Sequence, residues 1–261
     1  MSRYHDTCPA KINLGLHIRG RWPNSYHLLE TLLIPYPALY DDLEIQVRPG
    51  RDQIDLHISG EVPPPDEENY LSKAYRYLQK AAGKPLPALR VRLHKRIPVS
   101  AGLGGGSSNA GTFLRLFHQI FPDLLSPDKL HDVATQIGSD VPFFLHRKPM
   151  IATGTGTTLT PYDIDLSRYQ IYLLTPPVPC STRYIYRGLS SNSWSRTSIV
   201  PILQEPIETW KETLHNDLES VSFLIYPTLL MYKNALYEAG AVYASMNGSG
   251  SSLYGIWKAS Q

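Results

Sequence analysis

The sequence predicts an α+β fold, and three observations carry that prediction. Apolar and polar residues alternate over 9–18, 42–47, 53–58 and 89–95, the signature of half-buried strands. Apolar residues fall at helical spacing over 68–82, 113–121 and 126–138, and again near 206–224 and 227–239. The chain has 261 residues, enough for one large domain or two modest ones with sizeable cores.

Taken in order, Ile12, Leu14, Leu16 and Ile18 face one way on the first strand, and Lys11, Asn13, Gly15 and His17 face the other. The polar set either lines a site or forms the solvated face of an edge strand. A turn cluster at 20–25 leads through Tyr26-His27 into the apolar run Leu28–Ile34. Segments 42–47 and 53–58 read as a strand pair joined by the turn around Pro49-Gly50-Arg51-Asp52. A stiff proline loop at 60–66 precedes a helix from about Glu68 to Ala82, with Leu71, Ala74, Tyr75 and Leu78 on its apolar stripe and Gly83 as its stop. Ser126-Pro127-Asp128 opens the helix that buries Leu130, Val133, Ala134 and Ile137 and ends at Gly138. Asp140 follows that stop, either capping a short turn or held for chemistry. Gly154-Thr-Gly156 reads as a tight turn between strands, Ile171–Leu174 as a buried strand, and 176–197 as an ordered aromatic loop or a surface excursion. Two helices then precede strands at 241–246 and 253–257, joined by a second glycine–serine loop, Asn247–Ser252.

Composition narrows the function. A formal net charge of +2 argues against a dedicated nucleic-acid surface, and the basic run Arg90–Arg96 alternates with apolar residues as a strand does. Two cysteines, Cys8 and Cys180, are too few for a disulfide framework and lack zinc-site spacing. No run has the length of a membrane span or the form of a signal peptide, so the expectation is a soluble, cytoplasmic protein without nucleic-acid or membrane partners.

The most informative stretch is Pro98-Val-Ser-Ala-Gly-Leu-Gly-Gly-Gly-Ser-Ser-Asn109, lying between a strand pattern and a helix pattern. Glycines admit close approach of main-chain N–H groups, and a helix start adds free donors and the positive end of a dipole. The Ser-Ser-Asn run supplies N-cap chemistry for that helix. Together these describe an anion site, most simply one for phosphate. It is no Walker loop, because no lysine follows the glycines. Nor is it the dinucleotide fingerprint, because Ser107 stands where the third glycine belongs.

These pieces line up with a known family. Pro9-Ala-Lys-Ile-Asn-Leu14, Tyr26-His27, Asn69, Lys95-Arg-Ile-Pro98, Gly102–Asn109, Gly138-Ser-Asp-Val-Pro142, Asn216-Asp-Leu-Glu219 and Ser245-Met-Asn-Gly-Ser-Gly250 occur in the order found in the GHMP kinases, small-molecule kinases without a Walker lysine. The chain resembles that superfamily over nearly its whole length. It departs from the usual pattern at Asn24-Ser25, Gly111, Asn247 and His146–Pro149.

The resemblance implies a two-domain α+β fold. An ATP-binding half at 1–155, ribosomal-protein-like in fold, would precede a ferredoxin-like substrate half at 156–261, with the active site in the cleft between them. It implies ATP and Mg²⁺, with Ser107 near the metal. Pro98, Ala101, Gly102, Leu103, Gly104, Gly105, Gly106, Ser107, Ser108 and Asn109 would wrap the triphosphate, and Asn69 and Lys95 would lie about the adenosine. Asp140 would take the acceptor's proton, with Lys11 holding carboxylate and hydroxyl in register. The first strand followed by Tyr26-His27 is similar to the branch acting on the 2-hydroxyl of 4-diphosphocytidyl-2-C-methyl-D-erythritol, on the non-mevalonate route to isoprenoids. There Tyr26 and Tyr186 would stack on cytosine, His27 would read its edge, and Asn13 would contact the erythritol. The alternatives are a homoserine- or mevalonate-type kinase, or a catalytically silent metabolite-binding protein of the same fold.

Overall fold

The computed structural model describes residues 2–22, 26–61, 68–195 and 197–259. The chain forms two compact units, one from Met1–Ala10, Pro35–Val99 and Gly104–Arg147, the other from Lys11–Ile34, Ser100–Leu103 and Lys148–Gln261. The paired strands β1 (Arg3–Arg21) and β2 (His27–Arg51) contribute to both.

In the first unit β4 (Pro87–Lys95) runs antiparallel to β2, with Asp42 opposite His94 and Val47 opposite Leu89. Its other neighbour is β3 (Ile54–Gly60), which lies parallel to it. The sequence predicts 42–47 and 53–58 as a joined pair, and the structure corrects this by placing β4 between them. Asp52, at φ 56°, makes the turn. Its N–H donates to Leu86 O and its carboxylate accepts from Leu86 N–H, both at 2.8 Å, which ties the start of β3 to the chain entering β4.

Helices α1 (Tyr70–Ala82), α2 (Gly105–Ile120) and α3 (Pro127–Ile137) cover this sheet. Leu71 and Leu78, Phe113 and Phe117, and Leu130 and Val133 share one core with Leu43, Ile45, Leu89 and Val91. Each such side chain is worth about 1.5–3 kcal/mol when fully buried. The Gly83 stop and the Ser126-Pro127 start fall where the sequence puts them, whereas α1 begins at Tyr70 and not at Glu68, capped by Asn69. Asn69 Oδ1 accepts from Leu71 N–H at 2.8 Å, Gly83 is left-handed at φ 61°, and Ser126 precedes Pro127. A short α4 (Phe143–His146) completes the unit.

In the second unit β2 pairs antiparallel with β5 (Met150–Gly154), which turns through Gly154–Gly156 into β6 (Thr158–Pro161). A separate sheet has the order β7 (Tyr169–Leu174), β9 (Leu253–Lys258), β8 (Tyr243–Met246). β7 is half-buried with Tyr172 exposed, an edge strand and not the buried strand predicted. The aromatic stretch after it includes α5 (Thr182–Gly188) and a 3-10 turn, Ser191–Ser193, and α6 (Ile199–Leu203) follows.

The helix predicted over 206–224 is broken. A 3-10 turn (Ile207–Thr209) runs into α7 (Trp210–Thr213), and α8 (Glu219–Ile225) starts afresh. The break falls where His215 and Asp217 bond to β1: Leu16 N–H donates to His215 O and Asp217 N–H to Leu16 O, both at 2.9 Å. Those bonds replace helical ones. The last helix, α9, spans Pro227–Glu238. Leu16, Ile18, Ile185, Leu218, Leu229, Met246 and Leu253 form the core of this unit.

Candidate active site

The glycine loop is organised differently from the capping expected of it. Gly104, at φ 71°, is the N-cap of α2, and no side chain caps this helix. Ser107, Ser108 and Asn109 lie inside the first turns, so their predicted N-cap role is corrected. Ser108 N–H donates to Gly104 O at 2.8 Å, and the amides of Gly105, Gly106 and Ser107 precede that first helical bond. Uncapped donors at a helix start suit an anion. The two serines differ: Ser108 is fully buried and donates to Pro9 O at 2.6 Å, whereas Ser107 is half-buried.

Within the first unit one carboxylate holds the chain on both flanks of the loop. Asp41, fully buried, accepts from Lys95 Nζ (2.9 Å), Asn109 Nδ2 (2.7 Å), Arg96 N–H (2.6 Å) and Ile97 N–H (2.8 Å). Lys95 Nζ also donates to Asn109 Oδ1 at 3.0 Å. Lys95 and Asn109, predicted near the nucleotide, therefore sit in a closed polar network. Burying the lysine is tolerable because a carboxylate and an amide oxygen meet it.

Asp140 lies half-buried in the turn between α3 and α4. Main-chain bonds from Val141 N–H to Gly138 O (3.2 Å) and Phe144 N–H to Val141 O (3.1 Å) hold that turn. The α4 N-cap position is Pro142. Asn69 uses its side-chain oxygen to cap α1.

In the second unit the polar face of β1 is buried, which removes the solvated-strand reading of Lys11, Asn13 and His17. Lys11 Nζ donates to Asn13 Oδ1 at 2.5 Å, and Asn13 Nδ2 donates to Thr31 Oγ1 at 3.0 Å. Asn247, fully buried, joins this strand to the loop. Its Oδ1 accepts from Asn13 N–H (2.8 Å), and its Nδ2 donates to Lys11 O and Gly102 O, each at 3.1 Å. Lys11 N–H donates to Leu103 O at 3.0 Å, and Ser252 N–H to Ala101 O at 3.2 Å. Residues 101–103 are thus fastened to the strand that carries Lys11.

The same unit gathers aromatic rings. The His27 imidazole lies 5.4 Å from the Tyr186 ring, tilted by 43°, and 6.2 Å from the Trp194 indole, nearly perpendicular to it. Burial first, and Arg21 second, hold the His27 pKa below the ordinary histidine value, which favours the neutral ring. Tyr26 is exposed, and its carbonyl accepts from Trp22 N–H at 2.7 Å. The departure at Asn24-Ser25 lies outside the described residues. Both cysteines are free and buried, and burial pushes Cys8 up to about 12 and Cys180 up to about 11, so neither offers a thiolate.

This arrangement can now be set beside known proteins. The family described as GHMP kinases N terminal domain matches residues 69–148. A 4-diphosphocytidyl-2-C-methyl-D-erythritol kinase of Azobacteroides pseudotrichonymphae genomovar. CFP2 is 40% identical over 249 residues, covering 95% of this chain and 91% of that protein. The chain belongs to this family of GHMP kinases. A crystal structure of 4-(cytidine 5'-diphospho)-2C-methyl-D-erythritol kinase superposes with a TM-score of 0.80 at 31% identity, over 97% of this chain and 90% of that one. A mevalonate kinase structure, at 11% identity and TM-score 0.72 over 98% and 91% of the two chains, shares the fold.

As a member of this kinase family the chain has an ATP-dependent phosphotransferase architecture, and three of its residues escape sequence reasoning. Asp41 is one of an ordinary Asp-Asp pair. Asn247 appears only as a departure from a motif. Trp194 sits in a stretch with no periodicity. Among the described residues no group of three or more His, Cys, Asp or Glu side chains is placed to hold a metal, and no helix is long and apolar enough to cross a membrane.

Proposed function

We propose that this kinase transfers the γ-phosphoryl group of ATP to the 2-hydroxyl of 4-diphosphocytidyl-2-C-methyl-D-erythritol, a step of non-mevalonate isoprenoid biosynthesis. The observation that carries the reading is near-full-length identity of 40% to a kinase named for that acceptor. The uncapped start of α2 and the His27–Tyr186 pair supply matching chemistry at the two ends of the reaction.

In this reading the amides at Gly105–Ser107 cradle the phosphates. Asp140 accepts the proton of the attacking hydroxyl as the new P–O bond forms and the bond to ADP breaks. Lys11 orients that hydroxyl and stabilises the charge spread over the transferring group. Phosphoryl transfer has a loose transition state, so positioning and charge neutralisation outweigh the base. The Ser107 hydroxyl would be the side chain offered to an ATP-bound Mg²⁺, which would supply charge neutralisation at the phosphates. On the acceptor, Tyr26 and Tyr186 stack on cytosine, His27 bonds its edge and Asn13 contacts the erythritol. Residues 1–155 hold the phosphate loop together with Asn13, Tyr26 and His27, and 156–261 add Tyr186 on the acceptor, in a cytoplasmic enzyme.

An ADP-release assay over a panel of alcohol acceptors tests this. Turnover is expected with the cytidyl acceptor and not with homoserine or mevalonate, and equal turnover with either would overturn the assignment. Asp140→Asn should abolish ADP formation and leave ATP affinity within a few-fold. ATP binding lost with single-turnover chemistry intact would remove Asp140 from its role.

A further inference from the structure

Three buried titratable side chains of the second unit have no part in that mechanism: His17, Glu30 and Asp217. All three reach the same short stretch of chain. Asp217 accepts from Ser195 N–H (2.8 Å) and Ser195 Oγ (2.6 Å), while also accepting from Ile18 N–H on β1 (2.8 Å). Glu30 accepts from Ser198 Oγ (2.8 Å) and Ile199 N–H (3.2 Å). His17 Nδ1–H donates to Thr197 O at 3.0 Å. Buried carboxylates are costly unless hydrogen-bonded, and here the bonds that satisfy them fasten the stretch between Trp194 and Ile199.

What that loop carries is Trp194, directly before the pinned Ser195. Its Nε1 is buried with no hydrogen-bond partner among the described residues, so no polar contact of its own orients the indole. The ring is held by its pinned neighbour and by packing, with its plane nearly perpendicular to the His27 imidazole. Tyr186 packs on the same imidazole at 5.4 Å. A histidine at the first position of β2, next to exposed Tyr26, would otherwise be free to change rotamer.

We infer that Trp194 is a positioning residue for acceptor recognition: it holds the His27 imidazole against Tyr186, and so gives the enzyme its selectivity for a cytosine-bearing acceptor. The inference rests on the reading above, in which His27 addresses the base. Two aromatic neighbours leave the imidazole one aim, and the anchored loop keeps the second of them in place before substrate arrives.

The test compares kcat and KM for cytidine-linked and uridine-linked acceptors in wild type, Trp194→Phe, Trp194→Leu and His27→Ala. Trp194→Leu should raise KM for the cytidine-linked acceptor about tenfold and shrink the base preference comparably, the scale of one lost aromatic contact. KM for ATP should not move, and Trp194→Phe should fall between. In histidine side-chain NMR the His27 resonance, identified by its loss in His27→Ala, should shift in Trp194→Leu as the indole ring current disappears. A folded Trp194→Leu with wild-type KM and preference, beside an impaired His27→Ala, overturns this inference alone. A His27→Ala enzyme with wild-type KM and preference overturns the reading beneath it as well. Should Trp194→Leu fail to fold, Trp194→Phe and Ser195→Ala, which removes the hydroxyl bond to Asp217, carry the same comparison.

Discussion

The two stretches that fix the glycine loop are built from different materials. In the first unit an ion pair does it: Asp41 and Lys95 meet at 2.9 Å, both buried, with Asn109 closing the triangle. In the second unit the contacts are among neutral groups: Asn247, Asn13, Thr31 and the Tyr254 hydroxyl, which donates to Asn13 O at 2.7 Å. The difference teaches how a buried lysine is used. Lys95 has its charge matched by a carboxylate and serves as structure. The Lys11 ammonium is aimed by the Asn13 side-chain oxygen, on the strand that Asn247 fastens to residues 101–103. In the proposed mechanism that positive charge is what the transferring phosphoryl group meets.

Breaking the ionic side should be felt first as stability. Asp41→Ala leaves the Lys95 ammonium buried without its carboxylate and should cost about 3–5 kcal/mol in denaturant unfolding. Adding Lys95→Met should recover much of that loss, and no recovery would mean that the four bonds to Asp41 matter more than the charge.

In the second unit the expected loss is catalytic. Lys11→Met should lower kcat about a hundred- to a thousand-fold, as for removal of one group aimed at transition-state charge. Its melting midpoint should stay near that of wild type, and a collapse in stability equal to that of Asp41→Ala would erase the contrast between the two lysines.

The smallest effect sharpens the comparison. Asn247→Ser has one hydroxyl where the amide makes three bonds, so it should lose about 1–3 kcal/mol. It should also raise KM for ATP, because Gly102 loses its tie to β1. A steady-state assay with both substrates varied would separate that rise from any change in acceptor KM.

How much of this could be read from the chain depends on how local each signal is. The Gly83 stop of α1 and the Ser126-Pro127 helix start are written within a few residues of the element they bound, and both were legible; the Asn69 cap was not, because the helical pattern runs on to Glu68. So was the loop's suitability for an anion, since consecutive glycines before a helix state it directly. Asp41 was not. It stands next to Asp42, and strand alternation turns one to the interior and the other outward, where Asp42 meets Arg96. What distinguishes Asp41 lies 54 and 68 residues away, at Lys95 and Asn109. The parallel insertion of β3 beside β4 and the break before α8 were hidden for the same reason: a distant partner supplied the bonds that overruled the local pattern. Of the site, Lys11 and Asp140 were named through resemblance, and the geometry adds the burial of one and the half-buried turn that carries the other.

Gly102 carries a consequence for drug resistance. It has φ 77°, and a β-carbon added there would stand 2.4 Å from Asn247 O and 3.0 Å from Gly250 O. Both obstacles are main-chain oxygens, so no change of rotamer relieves the clash. An inhibitor gripping the backbone at Gly102 would bind a position the enzyme has no substitution to disguise, and escape variants would have to arise elsewhere.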